Sequence, residues 1–276
     1  MGLSITGSTG TIGRHIPPGV KKLKLDLSAL QEDTAAGIIE QEDTILHLAG
    51  VVGPAKVNEE PEFAKAVNIH GTAVLAGEFI KKSSGKFYYV STSHVYAPTS
   101  EIITEAAEIG PSSLYAEQKM MAEKVLSEIF SNEPSRLCII RVFSVLDWNT
   151  GPYSLGGAVH KVATGELGYV LRNASDIRDF LTPKTIAEAL FKIASAGQMS
   201  GVTNLCSSQG TTVGDATIRM LSESGYEIPP DVFEWERSHN PVVIGDNSRL
   251  KAAHPELDLV WQPSSFKQHG KNHHIR

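Results

Sequence analysis

The sequence has 276 residues, 41% hydrophobic and 20% charged, with a formal net charge of -6. This is a globular composition, long enough to bury a substantial core. The acidic balance argues against a nucleic-acid partner, and no apolar stretch approaches the ~20 residues that span a bilayer. Cys138 and Cys206 lie far apart and belong to no metal-ligand spacing, which predicts a reducing, cytoplasmic setting and no metal centre. The N-terminus enters a strand-like segment without the charged and apolar regions of a secretory signal.

Residues 3–6 form an apolar run that stops at Gly7-Ser8-Thr9-Gly10-Thr11-Ile12-Gly13. A helix starts there and is ended early by Pro17 and Pro18. Residues 20–27 alternate apolar and polar and read as a strand; residues 35–40 read as a helix. Residues 44–48 form an apolar strand ending in Ala49-Gly50. The spacing of Phe63, Val67, Ala73, Val74, Phe79 and Ile80 predicts a helix over residues 60–82, with Pro61 tolerated near its start. A strand over residues 86–90 leads into Ser91-Thr92-Ser93; a long helix over 113–130 and a strand over 137–143 follow.

Strand and helix alternate, which predicts a mostly parallel, doubly wound sheet covered on both faces. Phe87-Tyr88-Tyr89-Val90 is apolar throughout, as burial on both faces requires. After about residue 145 the rhythm loosens, and Gly151-Pro152, Gly156-Gly157 and Pro229-Pro230 punctuate shorter elements. The sequence therefore predicts a core over residues 1–145. Residues 146–276 form a small substrate lobe and return to the core. The polar, His-rich residues 268–276 carry no part of this reading.

Gly7, Gly10 and Gly13 sit at the first strand–helix junction. Glycine there permits a tight turn, close backbone approach to a pyrophosphate and close packing of the following helix. A helix N-terminus then offers N–H groups to the phosphates. An acid that holds the adenosine ribose normally follows about 20 residues on, and Asp26 is the only acid within range. Arg14 either meets a 2′-phosphate or is a surface arginine. The choice between NAD and NADP is open at this point.

Tyr115 and Lys119 are four residues apart on the long helix and share one face. A neighbouring ammonium favours the phenolate and draws the tyrosine down from its ordinary value near 10. Ser91, Thr92 and Ser93 lie at the C-terminal end of a buried strand, where open α/β sheets bind ligands. Glycine turn, strand-end hydroxyls and Y-x-x-x-K together make a hydride-transfer site.

These segments resemble the extended short-chain dehydrogenase/reductase family, also called the NAD-dependent epimerase/dehydratase family. The likeness is carried by Thr6 to Gly13, Asp26-Leu27-Ser28, His47-Leu48-Ala49-Gly50 and Asn68-Ile69-His70-Gly71-Thr72. It continues in Val90 to Tyr96, Tyr115 to Lys119, Arg141-Val142-Phe143, Arg178-Asp179-Phe180-Leu181 and Asn204-Leu205-Cys206-Ser207.

The resemblance implies a Rossmann domain with a small C-terminal substrate lobe, NAD or NADP as cofactor, and in most members a nucleotide-linked sugar as substrate. It implies cofactor contacts from Gly7, Thr9, Gly10, Thr11, Ile12, Gly13, Arg14, Asp26, Leu27, Leu48, Ala49, Gly50, Asn68 and Ser91, besides Tyr115 and Lys119. It makes Thr92 the hydroxyl partner of Tyr115 and places Ser93, His94, Ser144 and Arg178 at the substrate, with Arg178 near a diphosphate. It also implies a homodimer paired through the helices around residues 64–82 and 113–130.

The departures narrow this further. Sugar-nucleotide 4,6-dehydratases carry Asp-Glu after the threonine, where this chain has Ser93-His94, which argues against dehydration. Ser144 replaces an asparagine common in epimerases. The short segment after Gly13 implies that a strand and a helix are missing, as in compact dTDP-4-dehydrorhamnose reductases. By analogy, that favours a ketoreductase of a 4-keto-6-deoxy sugar over an epimerase or an idle dinucleotide-binding regulator.

Overall fold

A computed structural model describes residues 2–40, 43–147, 155–166, 169–228, 230–235 and 242–261. Gly151, Pro152, Pro229 and residues 268–276, named above, lie outside the described residues.

Strand β1 (Gly2–Thr6) runs into the glycine turn, and a two-residue β2 (Lys21–Lys22) pairs with it in parallel. Next come α1 (Glu32–Ile38), β3 (Asp43–His47), α2 (Pro54–Glu59), α3 (Pro61–Lys65) and α4 (Thr72–Lys82). Strand β4 (Phe87–Thr92), α5 (Leu114–Ile129) and β5 (Leu137–Val142) complete the first half. The second half holds β6 (Ser144–Val145), α6 (Leu155–Ala163), β7 (Ile177–Leu181), α7 (Pro183–Ala196) and β8 (Gly201–Leu205). It ends with β9 (Gly210–Thr212), α8 (Val213–Glu223), β10 (Val242–Val243) and α9 (Ser248–Ala253).

Six strands form one parallel sheet in the order β2-β1-β3-β4-β5-β8, a Rossmann-type, doubly wound arrangement. Its middle strands β3 and β5 are buried along their whole length. Two apolar clusters cover the sheet. One is built on Ile45, Phe79, Phe87, Leu126 and Phe130, the other on Leu46, Ile140, Ile186, Leu190 and Leu205. A smaller mixed sheet joins β10, β7 and β6, with β9 antiparallel to β7, over a separate cluster around Leu146, Phe180 and Met220.

Three elements differ from the sequence expectation. The helix after the glycine turn is a single 3-10 turn, Gly13–His15, because Pro17 and Pro18 cannot continue it. The strand expected over residues 20–27 shrinks to Lys21–Lys22, with one strand outside β1 where the usual order has two. The helix over residues 61–82 is continuous but contains a π-helical stretch, Ala66–Gly71. A Cβ on Gly71 would collide with the Leu27 carbonyl, so this stretch packs directly on the segment that follows β2.

Candidate active site

The glycine turn lies at the C-terminal end of β1. Gly7 has φ +70°, and a Cβ there would stand 2.6 Å from the Ala49 amide nitrogen. A Cβ on Gly13 would collide with the Gly7 carbonyl oxygen. The fold itself therefore demands glycine at both positions. Gly10 is different: its Cβ would meet only the Gly7 oxygen, at 3.4 Å. The exposed surface over Gly10 is the backbone approach that a pyrophosphate needs. The turn fits a dinucleotide, although no full helix supplies the N-terminal dipole expected from the sequence.

Beneath the turn, His47 fastens three elements. Its Nδ1 is 2.7 Å from Thr6 Oγ1 and its Nε2 is 3.0 Å from Thr72 Oγ1. Thr6 Oγ1 also accepts from the Ala49 N–H, which fixes the Leu48-Ala49-Gly50 edge against the glycine turn. Burial pushes His47 down to about 3, so the ring is neutral.

Helix α5 begins at Ser113, whose hydroxyl caps the Ala116 N–H. That start directs Tyr115 and Lys119 at the end of β4. The Tyr115 side chain hydrogen-bonds Thr92, and Lys119 Nζ donates to the Val90 carbonyl at 2.7 Å while lying 4.2 Å from the centre of the Tyr89 ring. All three side chains are buried. His94 meets Tyr115 edge-on, ring centres 5.9 Å apart. It is open to solvent yet surrounded by protein, as on a cleft wall; desolvation and then the Arg178 charge lower its pKa.

The electrostatics run opposite to the sequence expectation. Burial pushes Tyr115 up to about 12, against the smaller effect of the Thr92 hydrogen bond. Burial lowers Lys119 to about 7, against the pull of Glu123. Desolvation is the largest effect on both groups, and Tyr115 holds its proton at neutral pH.

Sequence reasoning missed the support under this site. Glu123 lies one helical turn beyond Lys119 and forms a buried two-point contact with Arg141, at 2.6 and 3.1 Å. It also accepts from Ser91 Oγ at 2.5 Å. Arg141 lies over the Tyr96 ring, and Tyr96 donates to Asn204 at 2.7 Å, linking β5 to β8. The available signal was the i,i+4 step from Lys119 to Glu123. Asn68, on the π-helical stretch, brackets Val51 with two hydrogen bonds and donates to Gln118 on α5.

The other expected residues are spread more widely. Asp26 is exposed and accepts from Ser28 N–H and Oγ, while Leu27 is buried in the core. Arg14 pairs with Asp147 at 2.5 Å, tying the glycine turn to the segment after β6. Thr9 is exposed and Thr11 half-buried in the turn, and Ile12 packs on the core. Ser144 starts β6 beside Phe180, and Ser93 is buried next to Thr92. Arg178 contacts Asp176 at 3.1 Å, and its charge acts on His94.

The sheet, its strand order and the glycine turn define a Rossmann-type dinucleotide enzyme. A sequence profile of the NAD dependent epimerase/dehydratase family matches residues 3–206. The chain belongs to that family and is an NAD(P)-dependent enzyme. It is 25% identical over 275 residues to a GDP-6-deoxy-D-mannose reductase of Pseudomonas aeruginosa, covering 90% of this chain and 89% of that protein. In fold it is similar to the structure of RMD from Pseudomonas aeruginosa complexed with NADPH, with TM-score 0.81, 21% identity and 97% of each chain covered. A UDP-glucuronic acid 4-epimerase from Bacillus cereus, in complex with UDP-glucuronic acid and NAD, matches with TM-score 0.77, 16% identity and 97% of each chain covered. Among the described residues, no helix is long and apolar enough to cross a membrane, and no group of metal-ligating side chains occurs.

Proposed function

We propose that the protein is an NAD(P)H-dependent reductase of a nucleotide-linked sugar, acting on the 4-keto group of a 6-deoxy sugar. The observation that carries this reading is the buried grouping of Thr92, Tyr115 and Lys119 at the end of β4, with Lys119 Nζ fixed on the Val90 carbonyl. A ketone reduction begins with a proton donor, and a tyrosine that keeps its proton at neutral pH is one. Thr92 orients the carbonyl oxygen, and Tyr115 delivers the proton to it. Lys119, one turn along, restores the proton balance and holds a ribose. The nicotinamide, when bound, supplies the hydride. The named relative that is a reductase supports this class of reaction.

The substrate lies between the two sheets, with residues 146–276 forming the lobe around the smaller sheet and returning to the core through α7 and β8. Arg178 faces a diphosphate there, and Ser93, His94 and Ser144 contact the sugar. Ser93-His94 supplies no carboxylate pair to eliminate water, which argues against dehydration. The setting is cytoplasmic, in keeping with the free, buried thiols of Cys138 and Cys206. We further propose a homodimer. Phe63, Leu114 and Met121 expose 49%, 37% and 44% of their surface along α3 and α5, the helices that would pair.

The experiment mixes purified protein with GDP- or dTDP-linked 4-keto-6-deoxy sugars and NADPH or NADH, and follows absorbance at the reduced nicotinamide band. Stoichiometric loss of the reduced cofactor is expected. Conversion of a UDP-hexose to its C4 epimer without net cofactor loss would replace the reductase by an epimerase.

A further inference from the structure

The shortened β1–β2 connection changes which residue stands at the adenosine end of the cofactor site. Ser4 pairs with Lys21 and Ile5 with Lys22, and Leu23 N–H donates to the Ile5 carbonyl at 2.8 Å. β2 ends at Lys22, so Leu23 and Lys24 are the two residues that carry the chain past the end of the strand. Leu23 is buried, while Lys22 and Lys24 are exposed.

In a Rossmann-type site the end of the second strand normally holds an acid on the adenosine ribose 2′-hydroxyl. That acid also repels a 2′-phosphate. Here the residue two past the end of β2 is Lys24, and no acid stands between Lys21 and Leu25. Lys21 is taken up by Glu40 and Asp43, at 2.7 and 3.4 Å, but neither Lys22 nor Lys24 has an ion-pair partner among the described residues. The nearest following acid, Asp26, is two residues further on and is occupied by the N–H and hydroxyl of Ser28. Arg14 is committed to Asp147.

We propose that Lys24, reinforced by Lys22, binds the 2′-phosphate of the adenosine ribose and makes the protein select NADPH over NADH. This rests on the reading that a dinucleotide lies over the glycine turn. A phosphate ester with close to two negative charges gains a charge-assisted contact from the ammonium, whereas a hydroxyl gains little. The selection arises from a deletion: the short connection brings a lysine-bearing strand directly against β1.

Titration calorimetry tests this on the full-length protein, with NADPH, NADH, and the half-ligands 2′,5′-ADP and ADP. NADPH is expected to bind at least about tenfold tighter than NADH, and 2′,5′-ADP tighter than ADP by a similar factor. Lys24→Glu should collapse both ratios, Lys24→Gln should reduce them, and Lys24→Arg should keep them. Lys24 is exposed, and a thermal melt of each variant confirms folding. Equal NADPH and NADH affinities in the parent, or ratios unchanged in folded Lys24→Glu, would overturn the inference and leave the proposed function standing. Absence of binding by either dinucleotide would overturn both.

Discussion

Glu123 and Arg141 are locked together below the end of β4, carboxylate to guanidinium, with both side chains buried. The same carboxylate holds Ser91, one residue before Thr92. The pair thus fixes the strand end that carries Thr92. Its removal strands a charge where no water reaches. Glu123→Gln should lower unfolding stability by about 3–5 kcal/mol, the usual cost of breaking a buried ion pair. The double variant Glu123→Leu/Arg141→Met should recover much of that loss. Urea denaturation of the parent and the two variants measures both. A Glu123→Gln protein as stable as the parent would show that the pair contributes nothing.

The glycines of the turn separate folding from binding. Gly13→Ala drives a Cβ into the Gly7 carbonyl and should destabilise the fold in a thermal melt. Gly10→Val adds its side chain toward open surface, so the melt should stay close to the parent while NADPH and NADH binding weakens sharply. Unchanged affinity in a folded Gly10→Val protein would remove the cofactor from this turn.

Lys119 makes stability depend on pH. In the unfolded chain a lysine keeps its proton to about pH 10. In the fold, burial brings Lys119 down to about 7. Between these values the unfolded state binds more protons, so folded stability should rise with pH across the window from about 7 to about 10. Lys119→Met lacks this contribution. The stability difference between parent and Lys119→Met should therefore shift in the parent's favour as pH rises from 7 to 9. A constant difference would mean that Lys119 stays charged in the fold.

Association can be read directly by light scattering. The exposed apolar residues on α3 and α5 predict a dimer mass at micromolar concentration. Introducing charge with Met121→Glu should shift the mass toward the monomer. A monomer mass in the parent would refute the pairing.

Much of the sheet was legible in the sequence, because β3, β4 and β5 are apolar runs bounded by turn residues, and buried parallel strands require such runs. Tyr115 and Lys119 were legible because helical spacing alone sets them on one face. What failed has identifiable physical causes. Alternation over residues 20–27 looked like a strand, but only Lys21 and Lys22 have a neighbouring strand to pair with; Leu23 and Leu27 turn into the core. The π-helical stretch at Asn68 leaves no mark in a 3.6-residue pattern. At its end Gly71 approaches Leu27 closely, a contact between distant segments. The direction for Tyr115 was misjudged because a sequence names neighbours but gives no burial, and here desolvation is the largest effect on both Tyr115 and Lys119.

Tyr115 is the proposed proton donor of the hydride-transfer reaction. Tyr115→Phe removes the hydroxyl and keeps the ring, so the thermal melt and the NADPH affinity should stay near those of the parent. With a 4-keto-6-deoxy nucleotide sugar turned over by the parent, kcat in the variant should fall by about 10²–10⁴-fold, the contribution of a positioned acid. A well-folded Tyr115→Phe protein that oxidises NADPH at the parent's rate would contradict the account.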